Sequence, residues 1–279
     1  MTNQDQIKNK SPKRKHEPEP TLSKPEVNHE MDLKRTKTVL RETDWQAPRV
    51  VQNSSDILYE HFTDIRLMME SANGILFSAT EKVTGLSVCL KKVKKADTHS
   101  YKRLDSGCLM PSEFYFHFKA ADVSSTVVKP LAWLESRKYY LIVMERPEDS
   151  IDLFEFTKEF GTLSEEAALN ILSQLVECSK LLHEAGICHR DIKDENILFD
   201  PATWKIKLID FGSATFATGS KYHSPQGTTD YFPPEFFLED AYAPEPLTIW
   251  SILLYNADRN CLVFRAWIPG KYQTRRSRL

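Results

Sequence analysis

Residues 189–198 read HRDIKDENIL, and residues 208–212 read LIDFG. The first stretch places Asp191, Lys193 and Asn196 in one loop, and Asp210 follows past a short hairpin. Phosphoryl transfer needs a base for a hydroxyl, a cation for a phosphate and oxygen ligands for magnesium. Each of these residues alone reads as an ordinary surface polar group. In this order and at this spacing they form a specific pattern.

Outward from that loop, residues 164–185 (SEEAALNILSQLVECSKLLHEA) carry apolar side chains at helical spacing. Thr162 or Ser164 offers the cap and Gly186 the stop. Before this helix the chain is rich in strands. GILFSAT (74–80) and LSVCLKKV (86–93) flank the turn EKVTG, and VVKPLAWLE (127–135) and KYYLIVMER (138–146) give two more. Between these pairs, MPSEFYFHFKAAD (110–122) reads as a short helix opened by Pro111 and Ser112. NILFD (196–200) and KIKLID (205–210) are short strands beyond the long helix. A strand-rich part followed by a helix-rich part predicts an α+β fold in two lobes.

Composition bounds the rest. Residues 1–57 are polar and Pro-containing and read as a disordered tail, because they cannot bury enough surface to offset their ordering entropy. Lys13, Arg14 and Lys15 within it suggest nuclear import as the less favoured alternative to a cytoplasmic location. A net charge of −2 gives no global attraction to nucleic acid or an anionic membrane. The five cysteines (Cys89, Cys108, Cys178, Cys188, Cys261) are odd in number and form no CxxC pair, which argues against a disulfide framework or a zinc module. No apolar run approaches the ~18 residues of a membrane helix, and no apolar leader opens the chain. Neither nucleic acid nor a membrane is therefore expected as a partner, and the chain, if folded, is expected to be monomeric.

HRDIKDEN followed by DFG resembles the eukaryotic protein kinases. The resemblance implies the bilobal kinase fold, with a β-rich N-lobe over about 62–144 and an α-rich C-lobe over 148–256. It implies that Asp191 accepts the substrate hydroxyl proton, that Lys193 neutralises the γ-phosphate, and that Asn196 and Asp210 hold Mg2+. Lysine two residues after the aspartate is the serine/threonine form of the loop. VCLK (88–91) stands where the family has VAIK, which makes Lys91 the α/β-phosphate lysine and Glu113, in MPSEFYF, its ion-pair partner. VMERPEDSIDLFEF (143–156), together with HRDIKDENIL and KLIDFGSA, is similar to the Pim family of serine/threonine kinases. In that reading Met144 is the gatekeeper and Glu145 offers the hinge carbonyl to the adenine of ATP. Pro147 lacks an N–H, so the hinge has one backbone donor fewer. Met68, Ser71, Gly74 and Leu76 complete the nucleotide contacts. Asp152, Glu155, Asp194 and Glu195 are the carboxylates expected to read basic residues upstream of the phosphorylated Ser or Thr. GTTDYFPPEFF (227–237) ends the activation segment, with Ser224 and Thr228 as secondary candidates for regulation.

Two departures from the family pattern stand out. Of the three loop glycines only Gly74 remains, with Met69 and Ser71 in the other places. Weaker ATP binding is the expected consequence, since side chains obstruct the backbone's approach to phosphate. Further on, TIWSILLYN resembles the central C-lobe helix with two residues missing between Ser251 and Ile252. That loss rotates the following side chains by about 200°, so the buried face of the second half is expected to be misdirected. Residues 257–279 match nothing in the family and form a basic tail. The C-lobe is accordingly expected to lack its last helices and to expose apolar surface. The alternative to an active enzyme is a catalytically impaired, kinase-like binding protein or a truncated isoform.

Overall fold

The computed structural model describes residues 49–50, 57–71 and 73–258. Most of the polar N-terminal stretch, with Lys13, Arg14 and Lys15, lies outside the described residues, as does the segment beyond 258. Residues 49–50 fall within the stretch read as disordered, yet they form a strand, β1 (Arg49–Val50). Composition averaged over 57 residues hides the β-branched pair Val50-Val51 near its end.

The first lobe is built on a six-stranded sheet. After β1 and a short helix, α1 (Ile57–His61), come β2 (Phe62–Ser71), β3 (Gly74–Glu81) and β4 (Ser87–Lys94) as an antiparallel meander. The hairpin β5 (Tyr101–Arg103) and β6 (Leu109–Pro111) delivers α2 (Ser112–Val123). Strands β7 (Pro130–Glu135) and β8 (Tyr139–Glu145) complete the order β1-β7-β8-β4-β3-β2, in which β1 runs parallel to β7. Alternation along β4 decides where the chemistry faces. Val88 and Leu90 are fully buried among Phe62, Leu141 and Val143, which turns Cys89 and Lys91 to the other face of the sheet. On that face Phe114 and Phe118 of α2 pack with Trp133, Ile142 and Met144. Each such aromatic contributes about 1.5–3 kcal/mol by burial, enough to seat the helix with Glu113 in its first turn.

In the second lobe β9 (Ile151–Asp152) leads into α3 (Leu153–Phe160), then α4 (Glu165–Glu184). Ser164, of the two capping candidates, accepts the Ala167 N–H at 3.2 Å, and Gly186 leaves the helix at φ 72°. Ile171, Leu175, Cys178 and Leu182 form the buried stripe of α4. It packs on β11 (Ile197–Asp200) and β12 (Lys205–Leu208), which pair antiparallel, with β9 on the far side of β11. β10 (Ile187–Cys188) pairs with β13 (Thr215–Phe216) and so brackets the catalytic loop. Last come α5 (Pro234–Glu239) and α6 (Pro244–Asp258).

Helix α6 departs from the misdirection expected of its second half. It runs unbroken to Asp258, and Ile252 joins the main core beside α4. Ile252, Leu253 and Leu254 are consecutive aliphatics spanning about 200° of helix circumference, so a change of phase still brings one of them inward. The open apolar face expected of this lobe is present among the described residues. A groove of about 460 Å³ runs between α4 and α6, lined by Leu172, Val176, Ile249 and Leu253.

Candidate active site

Lys91 on β4 and Glu113 on α2 meet across the face that the β4 alternation creates. The Lys91 Nζ lies 2.5 Å from Glu113 Oε1 and 3.1 Å from Asp210 Oδ1. Burial works against the Lys91 charge, but Glu113 and then Asp210 outweigh it and hold the ammonium well above its usual range. Burial likewise opposes the Asp210 carboxylate; Lys91 and the Gly212 N–H more than offset it, and Asp210 ionises below its usual range. Asp210 sits at φ 61°, a left-handed conformation rare outside glycine, and its Oδ1 accepts the Gly212 N–H at 3.2 Å. Beneath it Phe211 is fully buried, stacked on His117 at 5.0 Å and edge-on to His189 at 4.7 Å. His189 in turn bonds the Ile209 carbonyl at 3.1 Å, and His117 bonds the Val128 carbonyl at 2.7 Å. This aromatic stack ties α2 to the loop that carries Asp210.

The catalytic loop is organised around Asp191. Its Oδ2 accepts the Asn196 amide at 3.0 Å, and its Oδ1 accepts both the N–H and the hydroxyl of Thr228 at 2.8 Å. Lys193 donates to the same hydroxyl at 2.9 Å and stands 3.5 Å from Asp191 Oδ2. Thr228, which the sequence offers as a secondary candidate for regulation, therefore joins the cluster of Asp191, Lys193 and Asn196. Gly227 makes this approach possible: at φ 97°, a Cβ there would fall 2.3 Å from the Arg190 carbonyl. Arg190, itself at φ 66°, donates through Nε to the Ser213 carbonyl at 2.6 Å and holds the two loops together.

The Asn196 Nδ2 is committed to Asp191, so the amide oxygen remains as an acceptor. With the Asp210 carboxylate it makes an oxygen donor pair of the kind that suits magnesium. Among the described residues no cluster of three His, Cys, Asp or Glu side chains forms a closed metal cage, so phosphate oxygens and water would complete the coordination.

The loop over this site is a tight hairpin, with Ser71 opposite Gly74. Gly74 stands at φ 126°, and a Cβ on it would lie 2.7 Å from the Lys92 carbonyl. The Ser71 hydroxyl is used within the turn, donating to the Gly74 carbonyl and accepting the Asn73 N–H. Met68 is half exposed at a bulge between Leu67 and Met69. A cavity of about 300 Å³ opens below the hairpin, lined by Ser71, Gly74, Glu113, Gly212 and Ser213. Toward the hinge, Leu76 and Cys89 from above and Leu198 and Ile209 from below are partly buried against the cluster containing Met144. Leu198, Ile209 and Cys89 carry no sequence signal of their own, since isolated apolar residues in short strands read as core.

The four candidate substrate carboxylates gather where α3 packs on the 3-10 turn Asp194–Asn196. Asp152 caps α3 by accepting the Glu155 N–H at 2.8 Å, and Glu155 pairs with Lys158 at 3.0 Å. Asp194 is buried and accepts the Tyr231 hydroxyl at 3.0 Å, whereas Glu195 is exposed.

The protein kinase domain, as a family, matches residues 62–267, so the match runs into the stretch 257–279 for which no family resemblance was expected. The chain belongs to that family. Among curated proteins this kinase-family chain is similar to the serine/threonine-protein kinase prk-2 of Caenorhabditis elegans, 36% identical over 194 residues. That alignment covers 69% of this chain and 44% of prk-2. Serine/threonine-protein kinase pim-2 of Danio rerio is 34% identical over 215 residues, covering 74% of this chain and 69% of pim-2. A PAS domain-containing serine/threonine-protein kinase of Mus musculus is 31% identical over 192 residues, 68% of this chain and 14% of that protein. The kinase fold and the serine/threonine kinase class of its relatives agree with the geometry just described.

Proposed function

We propose that this chain transfers the γ-phosphate of ATP to Ser or Thr hydroxyls of proteins that carry Arg or Lys upstream of the target. The observation that supports it most is the joined constellation of Lys91, Glu113 and Asp210 above with Asp191, Lys193 and Asn196 below. Glu145 receives the adenine at the hinge, between Leu76 and Cys89 on one side and Leu198 and Ile209 on the other. Lys91, held by Glu113, meets the α- and β-phosphates. Asn196 and Asp210 would hold Mg2+, whose charge neutralises the phosphate oxygens as electron density shifts onto them. The substrate hydroxyl oxygen bonds to the γ-phosphorus as the bond to the β–γ bridging oxygen breaks and ADP departs. The hydroxyl proton passes to Asp191, and Lys193 balances charge on the transferred group.

The similarity to pim-2 and prk-2 supports a Pim-like identity and the preference for basic substrates. Glu195 is exposed on the 3-10 turn and Glu155 is half-exposed on α3, which packs against that turn, while the buried Asp194 accepts the Tyr231 hydroxyl and fixes the turn it shares with Glu195. Against efficient turnover stands the hairpin, whose Ser71 hydroxyl is spent within its own turn. That favours weak nucleotide binding and keeps the impaired, partner-binding protein as the second reading.

The deciding experiment is phosphorylation of an Arg-rich serine peptide by the purified chain, compared with Asp191→Asn. The wild-type chain is expected to transfer phosphate and the variant to lose about a hundred- to ten-thousandfold, the range for removal of a positioned base. Folded protein that stabilises on adding Mg-ATP but shows no Asp191-dependent transfer would establish the second reading instead.

A further inference from the structure

Lys207 has no part in the chemistry above, yet its ammonium reaches the hinge. It lies on β12, in the run Lys207-Leu208-Ile209-Asp210, and its Nζ is 2.6 Å from Glu145 Oε1. The same carboxylate oxygen accepts the Lys129 N–H at 2.9 Å, and the Glu145 N–H donates to the Lys129 carbonyl at 2.9 Å. The segment before β7 is in turn fixed to β12. Leu208 donates its N–H to the Thr126 carbonyl at 2.7 Å, and Val128 donates to the Leu208 carbonyl at 3.1 Å. One carboxylate therefore joins the end of β8, the segment before β7 and the strand β12, two residues short of Asp210. Both side chains are about two-thirds covered, at 30% and 32% exposure, so solvent screens the pair only in part.

We propose that Lys207 is a positioning residue: through Glu145 it fixes the separation between the hinge and Asp210. The inference rests on the nucleotide-binding reading, in which the base sits at one end of this strut and the phosphates at the other. Pro147 increases the demand, because the hinge has lost a backbone donor and the contact at Glu145 carries more of the orientation. A ligand that engages both ends needs them at a set distance before it binds, whereas a ligand engaging only one end does not.

The test titrates Mg-AMP-PNP and adenosine separately into the full chain by calorimetry, with Lys207→Met and Lys207→Arg beside the wild type. Lys207→Met is expected to weaken Mg-AMP-PNP about fivefold, the upper range for such a pair, with adenosine changed less than about twofold. Lys207→Arg keeps the charge and is expected to restore the wild-type ratio. Equal loss for both ligands, loss for neither, or an arginine variant behaving like methionine overturns the strut while the nucleotide site stands. A wild-type chain that binds neither ligand overturns the nucleotide reading and the strut with it.

Discussion

Asp191 has both carboxylate oxygens engaged before any substrate arrives, and the donor on one of them is Thr228. The Thr228 hydroxyl accepts from Lys193 and donates to Asp191, so it holds the Lys193 ammonium and the Asp191 carboxylate at one spacing. Removing a hydrogen bond to a charged group costs about 1.5–3 kcal/mol. Thr228→Ala is therefore expected to lower kcat roughly tenfold or more, and Thr228→Ser to stay near wild type, in a peptide phosphorylation assay. An alanine variant as fast as wild type would show the bridge to be idle. Nothing in the sequence pointed to this role. Asp191, Lys193 and Asn196 are legible because they sit in one loop with fixed offsets, while Thr228 reaches them only through folding of the segment between. The pairing of Lys207 with Glu145 is hidden for the same reason, its two members being on strands of different lobes.

Strand β4 makes its neighbours' roles plain. In sequence Val88-Cys89-Leu90 is an unbroken apolar run; the burial of Val88 and Leu90 reveals the alternation that puts Lys91 on the α2 face. The hairpin between β2 and β3 was legible only as a degraded loop. Its structure shows what the remaining glycine does: Gly74 brings the turn against the backbone of β4, where no Cβ fits. Gly85 has a similarly positive φ of 72° but nothing within 4 Å of its missing Cβ. Gly85→Ala is expected to cost about 1–2 kcal/mol, the left-handed penalty alone. Gly74→Ala adds a backbone clash and is expected to lower the melting temperature further; equal melting temperatures would contradict the close approach. Helix α4 was readable nearly to the residue, because cap, stripe and stop all agree. The hairpin β5–β6 and the two-residue strands were not, since they are shorter than the roughly four residues over which alternation becomes visible.

The lobes are held in one working arrangement by the stack of His117, Phe211 and His189. Burial pushes His117 down to about 4, so the folded protein keeps it neutral where the unfolded chain would bind a proton. Burial also lowers His189. Between about pH 6.5 and 4 the unfolded state then holds more protons than the folded one, and stability falls as pH falls. For His117 alone the loss from pH 7 to pH 5 is about 2 kcal/mol. Thermal denaturation should show a lower midpoint at pH 5, and His117→Gln should flatten that dependence. A variant with an unchanged slope would place the pH sensitivity elsewhere. Two lobes, their order and the site between them could be read from pattern because strands precede helices along the chain. The stack could not, since its members come from α2 and two loops, and a histidine in a helix or a loop carries no mark of what covers it.

The aliphatic run Ile252-Leu253-Leu254 also bears on how such a chain changes over generations. Where any of three neighbouring side chains can fill the same place, gaining or losing a residue upstream carries little selective penalty. Gly227 is the opposite case, where backbone lies against backbone and a single methyl group is excluded. A change of chain length is therefore expected to be borne more easily ahead of that aliphatic run than a single added methyl group at Gly227.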